Sequence, residues 1–97
     1  MNGWRWSTSE SGSYLQCNLL TKFGFKHGFF TKNWKEQSPN QLVKYLDKQS
    51  SVHFLRQIHS DKIINSSLTS PQAPLKGDGL ISDSAMQSLW VCSADCI

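Results

Sequence analysis

The chain has 97 residues, 38% apolar and 18% charged, with a net charge of +3, enough for one small domain with its own core and too little for two. Its ten lysines and arginines are scattered, which argues for a solvated exterior and against a nucleic-acid tract. No apolar run approaches the roughly 20 residues of a membrane span. The opening Met1-Asn2-Gly3-Trp4-Arg5-Trp6 lacks the basic-then-apolar order of a signal peptide, so the three cysteines are read as reduced thiols of a cytoplasmic protein.

In chain order, Trp4 to Gly12 is polar and serine-rich and reads as a loosely held strand. Tyr14 to Leu20 and Phe23 to Thr31 read as short strands interrupted by Gly24 and Gly28. A helix is expected next. Ser38 is its N-cap, Pro39 suits the first helical position, and Gln41 completes a capping box. Leu42, Val43 and Leu46 share its buried face, and it should end near Gln49 to Ser51. Ser51 to Ile58 reads as a strand with Val52, Phe54 and Ile58 on one face and His53, Leu55, Gln57 and His59 on the other. Lys62 to Ile64 reads as its short partner. Asn65 to Gly79, rich in Pro, Gly and Ser, reads as a long loop of the kind that is functional or mobile. Its Asn65-Ser66-Ser67 fits a glycosylation pattern but is read as a polar turn. Leu80-Ile81-Ser82 begins another strand. Leu89 to Ile97 is a last apolar strand without a turn or polar end. An open buried strand exposes its backbone donors and acceptors, so the expectation is that residues 1–97 are the N-terminal part of a single larger domain.

The chemistry-bearing residues follow from these elements. His59 ends one apolar run and precedes the turn-like Ser60-Asp61. Cys96 ends another, in Ser93-Ala94-Asp95-Cys96. Each alone has an ordinary use, a surface histidine and a small apolar cysteine. Together they suit zinc, which takes imidazole nitrogen and thiolate sulfur and keeps an open position for catalysis when three protein ligands hold it. Further ligand candidates are His27, His53, Cys17 and Cys92. Cys92 and Cys96 would stand about 13 Å apart along a strand, too far to share an ion. A rival use is a Cys96 nucleophile with His59 as its base. Asp95 is expensive to bury in its apolar run without a partner. Asp78, between Gly77 and Gly79, reads as a turn aspartate or as a polar group at a strand mouth.

Four short blocks then resemble a known family in that family's order. His27-Gly28-Phe29-Phe30-Thr31-Lys32 resembles a His-Gly-Phe-Ser-Thr-Arg block, and Leu55-Arg56-Gln57-Ile58-His59-Ser60 a Gln-Val-His-Gly block. Gly77-Asp78-Gly79-Leu80-Ile81-Ser82-Asp83 resembles Ala-Asp-Ala-Leu-Val-Thr, and Ser93-Ala94-Asp95-Cys96 resembles Thr-Ala-Asp-Cys. The family is that of the polyphenol-oxidase or laccase-domain proteins, also described as zinc-dependent purine nucleoside phosphorylases. The family's Gly-Gly-Val-Ser stretch is missing here, where Asn33 to Gln37 leads directly to the helix. Its His-Ala-Gly-Trp-Arg-Gly block, source of a third ligand, is also missing.

What the resemblance implies is a layered α/β fold with mixed β-sheets and flanking helices, incomplete in this chain. It makes His59 and Cys96 the catalytic metal ligands, with the third ligand beyond Ile97. His27 and Asp78 become substrate-pocket residues, and Asp95 a group behind the ligands. The implied reactions are phosphorolysis of adenosine, inosine, guanosine and methylthioadenosine by phosphate, and deamination of adenosine by a water whose pKa zinc lowers toward ~7. The fragment alone is expected to be inactive. A polyphenol oxidase would instead need copper, and a blue-copper site wants two histidines, a cysteine and often a methionine. Two readings of other classes stand beside it. One is a non-catalytic remnant or interaction module using its open strand edge. The other is a single-strand nucleic-acid binder built on Trp4, Trp6 and Trp34.

Overall fold

The computed structural model describes residues 3–34 and 37–92. Within them the chain is α/β, with short helices and three two-stranded sheets, one antiparallel and two parallel. This is the mixed class read from the sequence. It divides into two compact units, Met1–Asp47 and Lys48–Ile97. No helix among the described residues is long and apolar enough to cross a membrane.

The first unit opens with a hairpin of β1 (Trp4–Ser9) and β2 (Gly12–Cys17), so the serine-rich entry is a fully paired strand. The Ser9 hydroxyl stabilises the turn by donating to Gly12 O at 3.0 Å and accepting the Ser11 N–H at 3.3 Å. Gly12 has φ +152°, and a Cβ there would lie 2.9 Å from the Trp34 ring, so only glycine fits.

The expected strand from Tyr14 to Leu20 stops at Cys17. The chain turns into α1 (Asn18–Lys22), where Leu19 and Leu20 are good helix formers and Thr21 Oγ donates back to Cys17 O at 3.2 Å. The expected strand from Phe23 to Thr31 is irregular chain instead. It is tied to β2 by a backbone pairing of Leu15 with Phe29, at 3.0 and 2.8 Å, and by hydrogen bonds of Gln16 and Cys17 to His27.

Aromatic rings build this unit's core. Trp34, 4% exposed, meets Phe30 and Tyr45 edge-to-face at 5.2 and 5.1 Å, and Tyr14 stacks on Phe30 at 4.9 Å. The indole N–H donates to Ser13 O at 2.8 Å, which satisfies the polar end of a buried ring. The expected helix forms as two single turns, α2 (Pro39–Leu42) and α3 (Lys44–Asp47), with Leu42 and Val43 buried. The Ser38 N–H donates to Gln41 Oε1 at 2.8 Å, as the capping box requires. The helix ends at Asp47, short of the expected Gln49.

In the second unit β3 (Ser51–Phe54) pairs in parallel with β6 (Gln87–Trp90), and β4 (Ile63–Asn65) with β5 (Gly79–Ile81). Two expectations are corrected. The strand from Ser51 ends at Phe54 rather than Ile58, and the segment at Lys62 to Ile64 pairs with β5 rather than returning along β3. Parallel pairs need long crossovers, and β4 and β5 lie inside the crossover that links β3 to β6.

The stretch from Asn65 to Gly79 is organised by two buried hydroxyls. Thr69, 2% exposed, donates to Phe54 O at 3.0 Å and accepts the Leu75 N–H at 2.9 Å. Ser66, fully buried, donates to Gln87 Oε1 and to Asp83 Oδ1. The apolar end from Leu89 forms a strand only as far as Trp90 among the described residues.

Candidate functional site

After Phe54 the backbone leaves the sheet. Arg56 still pairs with Lys76 through Arg56 N–H to Leu75 O at 2.8 Å and Gly77 N–H to Arg56 O at 3.1 Å. The next residues then turn around a carboxylate. Asp78 Oδ1 accepts the N–H groups of Ile58 at 3.1 Å and Ser60 at 2.8 Å and the Ser60 hydroxyl at 2.9 Å. Asp78 Oδ2 accepts the His59 N–H at 3.1 Å. Successive N–H groups of a strand point to opposite sides, so three of them reach one acceptor only because His59 adopts φ +60°. A left-handed histidine costs about 1–2 kcal/mol against the right-handed region, a cost the four hydrogen bonds offset. His59 stands exposed at the apex of this turn. The same donors, Ser60 N–H foremost, hold the Asp78 carboxyl down from 3.8 to about 2.

Gln57 makes the second connection. Its side-chain amide donates to Cys92 O at 2.8 Å and accepts the Cys92 N–H at 2.7 Å. A side chain here stands in for a strand and extends the β3–β6 pairing by one step. Cys96 and Asp95 lie outside the described residues.

The other sequence candidates are built into the fold. His27 Nε2 accepts the Cys17 N–H at 2.7 Å, which leaves Nδ1 to donate to Phe25 O at 3.0 Å. His53 Nδ1 donates to Thr69 O at 2.8 Å, and its Nε2 meets Ser51 Oγ at 2.7 Å. Both rings therefore have both nitrogens engaged, and His59 is the histidine carried on an exposed turn. Cys17 is half-buried and Cys92 exposed, both as free thiols. Among the described residues no three His, Cys, Asp or Glu side chains gather as a metal cluster. A shallow concavity of about 250 Å³ lies in the first unit, lined by Gln16, Thr21, Phe25, His27, Tyr45 and others. His59 and Asp78 belong to the second unit.

Sequence reasoning missed a polar cluster. Asp83 Oδ1 accepts the Ser67 hydroxyl at 2.5 Å, the Ser67 N–H at 3.2 Å and a Gln87 N–H at 3.1 Å. These bonds, the Ser67 hydroxyl foremost, hold its carboxyl below the usual range. Asn65-Ser66-Ser67 was its only local signal.

A family model described as multi-copper polyphenol oxidoreductase laccase matches residues 5–97. The chain belongs to this laccase family. It is similar to a purine nucleoside phosphorylase of Synechocystis sp., with 37% identity over 99 aligned positions that cover 96% of this chain. The chain spans 37% of that relative's length. No solved structure matches it significantly.

Proposed function

We propose that the chain carries two ligands, His59 and Cys96, of a zinc centre in a cytoplasmic purine nucleoside phosphorylase. The substrates are phosphate and adenosine, inosine, guanosine or methylthioadenosine, and the same centre deaminates adenosine. The similarity to a purine nucleoside phosphorylase supports the substrate class. The observation that carries the ligand assignment is the Gln57 clamp, which holds Cys92 beside the chain that runs into the His59 turn. Cys96 is four residues beyond Cys92, a reach of at most ~13 Å along extended chain.

The donor chemistry fits zinc. An imidazole and a thiolate are both among its preferred ligands, whereas His27 and His53 spend their ring nitrogens within the fold, which disfavours a multi-histidine copper set. Zinc when bound supplies Lewis acidity to the reacting purine nucleoside. His59 carries its imidazole on a turn fixed by backbone hydrogen bonds to Asp78. Asp95, adjacent to Cys96, supplies a carboxylate that orients a ligand from behind. His27 contributes a wall of the first unit's concavity through a ring whose orientation is set by Cys17 and Phe25.

The test is an assay of the full-length protein with each nucleoside. Phosphate-dependent release of free base and pentose 1-phosphate is expected, with ammonia released from adenosine alone. His59→Ala and Cys96→Ala should abolish both activities and the bound zinc. Undiminished phosphorolysis in either variant would remove that residue from the centre.

A further inference from the structure

We infer that Asp78 is a positioning residue for His59, its carboxylate fixing the turn from which the imidazole binds metal. This deepens the proposed function, because it rests on His59 being a ligand. Four donors converge on Asp78: three consecutive backbone N–H groups, of Ile58, His59 and Ser60, and the Ser60 hydroxyl. A carboxylate has about four acceptor positions, so little capacity remains for a substrate, and the role moves from substrate contact to scaffold. The arrangement is an anion-binding nest whose anion is the chain's own.

The anchor behind the carboxylate is rigid. Asp78 N–H and Gly79 N–H both donate to Lys62 O at 3.1 Å. A Cβ at Gly77 would lie 3.0 Å from Ile64 Cγ1, and one at Gly79 3.2 Å from Ile63 Cγ1. Glycines on both sides let this segment pack directly on β4, so the β4–β5 sheet, through Asp78, sets where His59 stands. Without the carboxylate the left-handed His59 backbone, φ +60°, competes with the extended forms that the preceding strand favours.

The test measures zinc affinity of the full-length protein by chelator competition, with cobalt(II) spectra and thermal midpoints, for wild type, His59→Ala, Asp78→Ala and Asp78→Asn. Asp78→Ala is expected to weaken zinc binding by about tenfold or more, the usual cost of losing a group that orients a ligand. Asp78→Asn keeps one acceptor oxygen and should fall between it and wild type. If Asp78→Ala fails to fold, Asp78→Asn decides. In Asp78→Asn the cobalt d–d bands should shift while the thiolate charge-transfer band stays, a change that a merely structural role would not produce in a folded protein. Wild-type affinity and spectrum in the Asp78 variants, with weakened binding in His59→Ala, would overturn the inference and leave the ligand reading standing. Wild-type affinity in His59→Ala would overturn both.

Discussion

The side-chain amide of Gln57 pairs with both backbone groups of Cys92, 35 residues away, accepting its N–H at 2.7 Å and donating to its carbonyl at 2.8 Å. Each neutral hydrogen bond contributes roughly 1 kcal/mol net, and the pair is solvent-exposed, so Gln57→Ala should cost about 1 kcal/mol locally. The expected result is a roughly fivefold faster hydrogen exchange at the Cys92 amide, with the hairpin of the first unit unaffected. Gln57→Glu should speed exchange less than Gln57→Ala, because its carboxylate still accepts the Cys92 N–H and loses only the donor to the Cys92 carbonyl. Unchanged exchange at Cys92 in both variants would show that the clamp does not hold this segment.

The capping box at Ser38 and Gln41 could be read from the sequence because both halves lie within one turn. What could not be read is set by partners far along the chain. Alternation from Ser51 to Ile58 reads as one strand, yet the ladder with β6 ends at Phe54, Arg56 pairs with Lys76, and Asp78 takes the N–H groups of residues 58–60. The partner of β4 is β5, more than a dozen residues on, and no local periodicity encodes that register. The buried Ser66 and its partners Asp83 and Gln87 are 17 and 21 residues apart, beyond any capping or turn rule.

Trp34 is the keystone of the first unit, 4% exposed and packed edge-to-face on two rings. Truncating a buried aromatic costs about 3–5 kcal/mol. Trp34→Ala should therefore unfold the first unit under conditions where wild type is folded, as near-ultraviolet circular dichroism would report. Gly12→Ala should be destabilising too, because a methyl 2.9 Å from the same ring, on a backbone at φ +152°, cannot be placed without displacing it. A wild-type melting profile for Gly12→Ala would contradict the packing described.

Thr69→Val tests whether a hydroxyl, rather than a shape, organises the crossover. Valine keeps the volume but leaves the Phe54 carbonyl and the Leu75 N–H without the Thr69 oxygen. A buried group left unpaired costs about 1–3 kcal/mol. Chemical denaturation should show a loss in that range, and Thr69→Ser, which keeps the hydroxyl, should recover most of it.

Acid sensitivity follows from two carboxyls. Asp78 is lowered to about 2, by Ser60 N–H above all, and Asp83 is lowered by the Ser67 hydroxyl. A carboxyl lowered on folding binds fewer protons in the folded than in the unfolded state, so stability rises with pH across that interval. The contribution is complete above the unfolded value near 3.8 and is lost as pH falls toward about 2. Denaturation midpoints measured from pH 5 downward should decline most steeply there, and Asp78→Asn with Asp83→Asn should flatten that decline. An equally steep decline in the double variant would place the acid sensitivity elsewhere.

The 97-residue chain on its own should hold zinc weakly and show no phosphorolysis. A catalytic zinc site uses three protein ligands, and the proposed function draws two, His59 and Cys96, from this chain. Two ligands leave the ion open to competing water and chelator, and the proposed third ligand lies outside these 97 residues, which span 37% of the relative's length. Metal analysis after dialysis should find well under one zinc per chain. One tightly held zinc per chain, lost in His59→Ala, would mean that these residues complete a site without the third ligand.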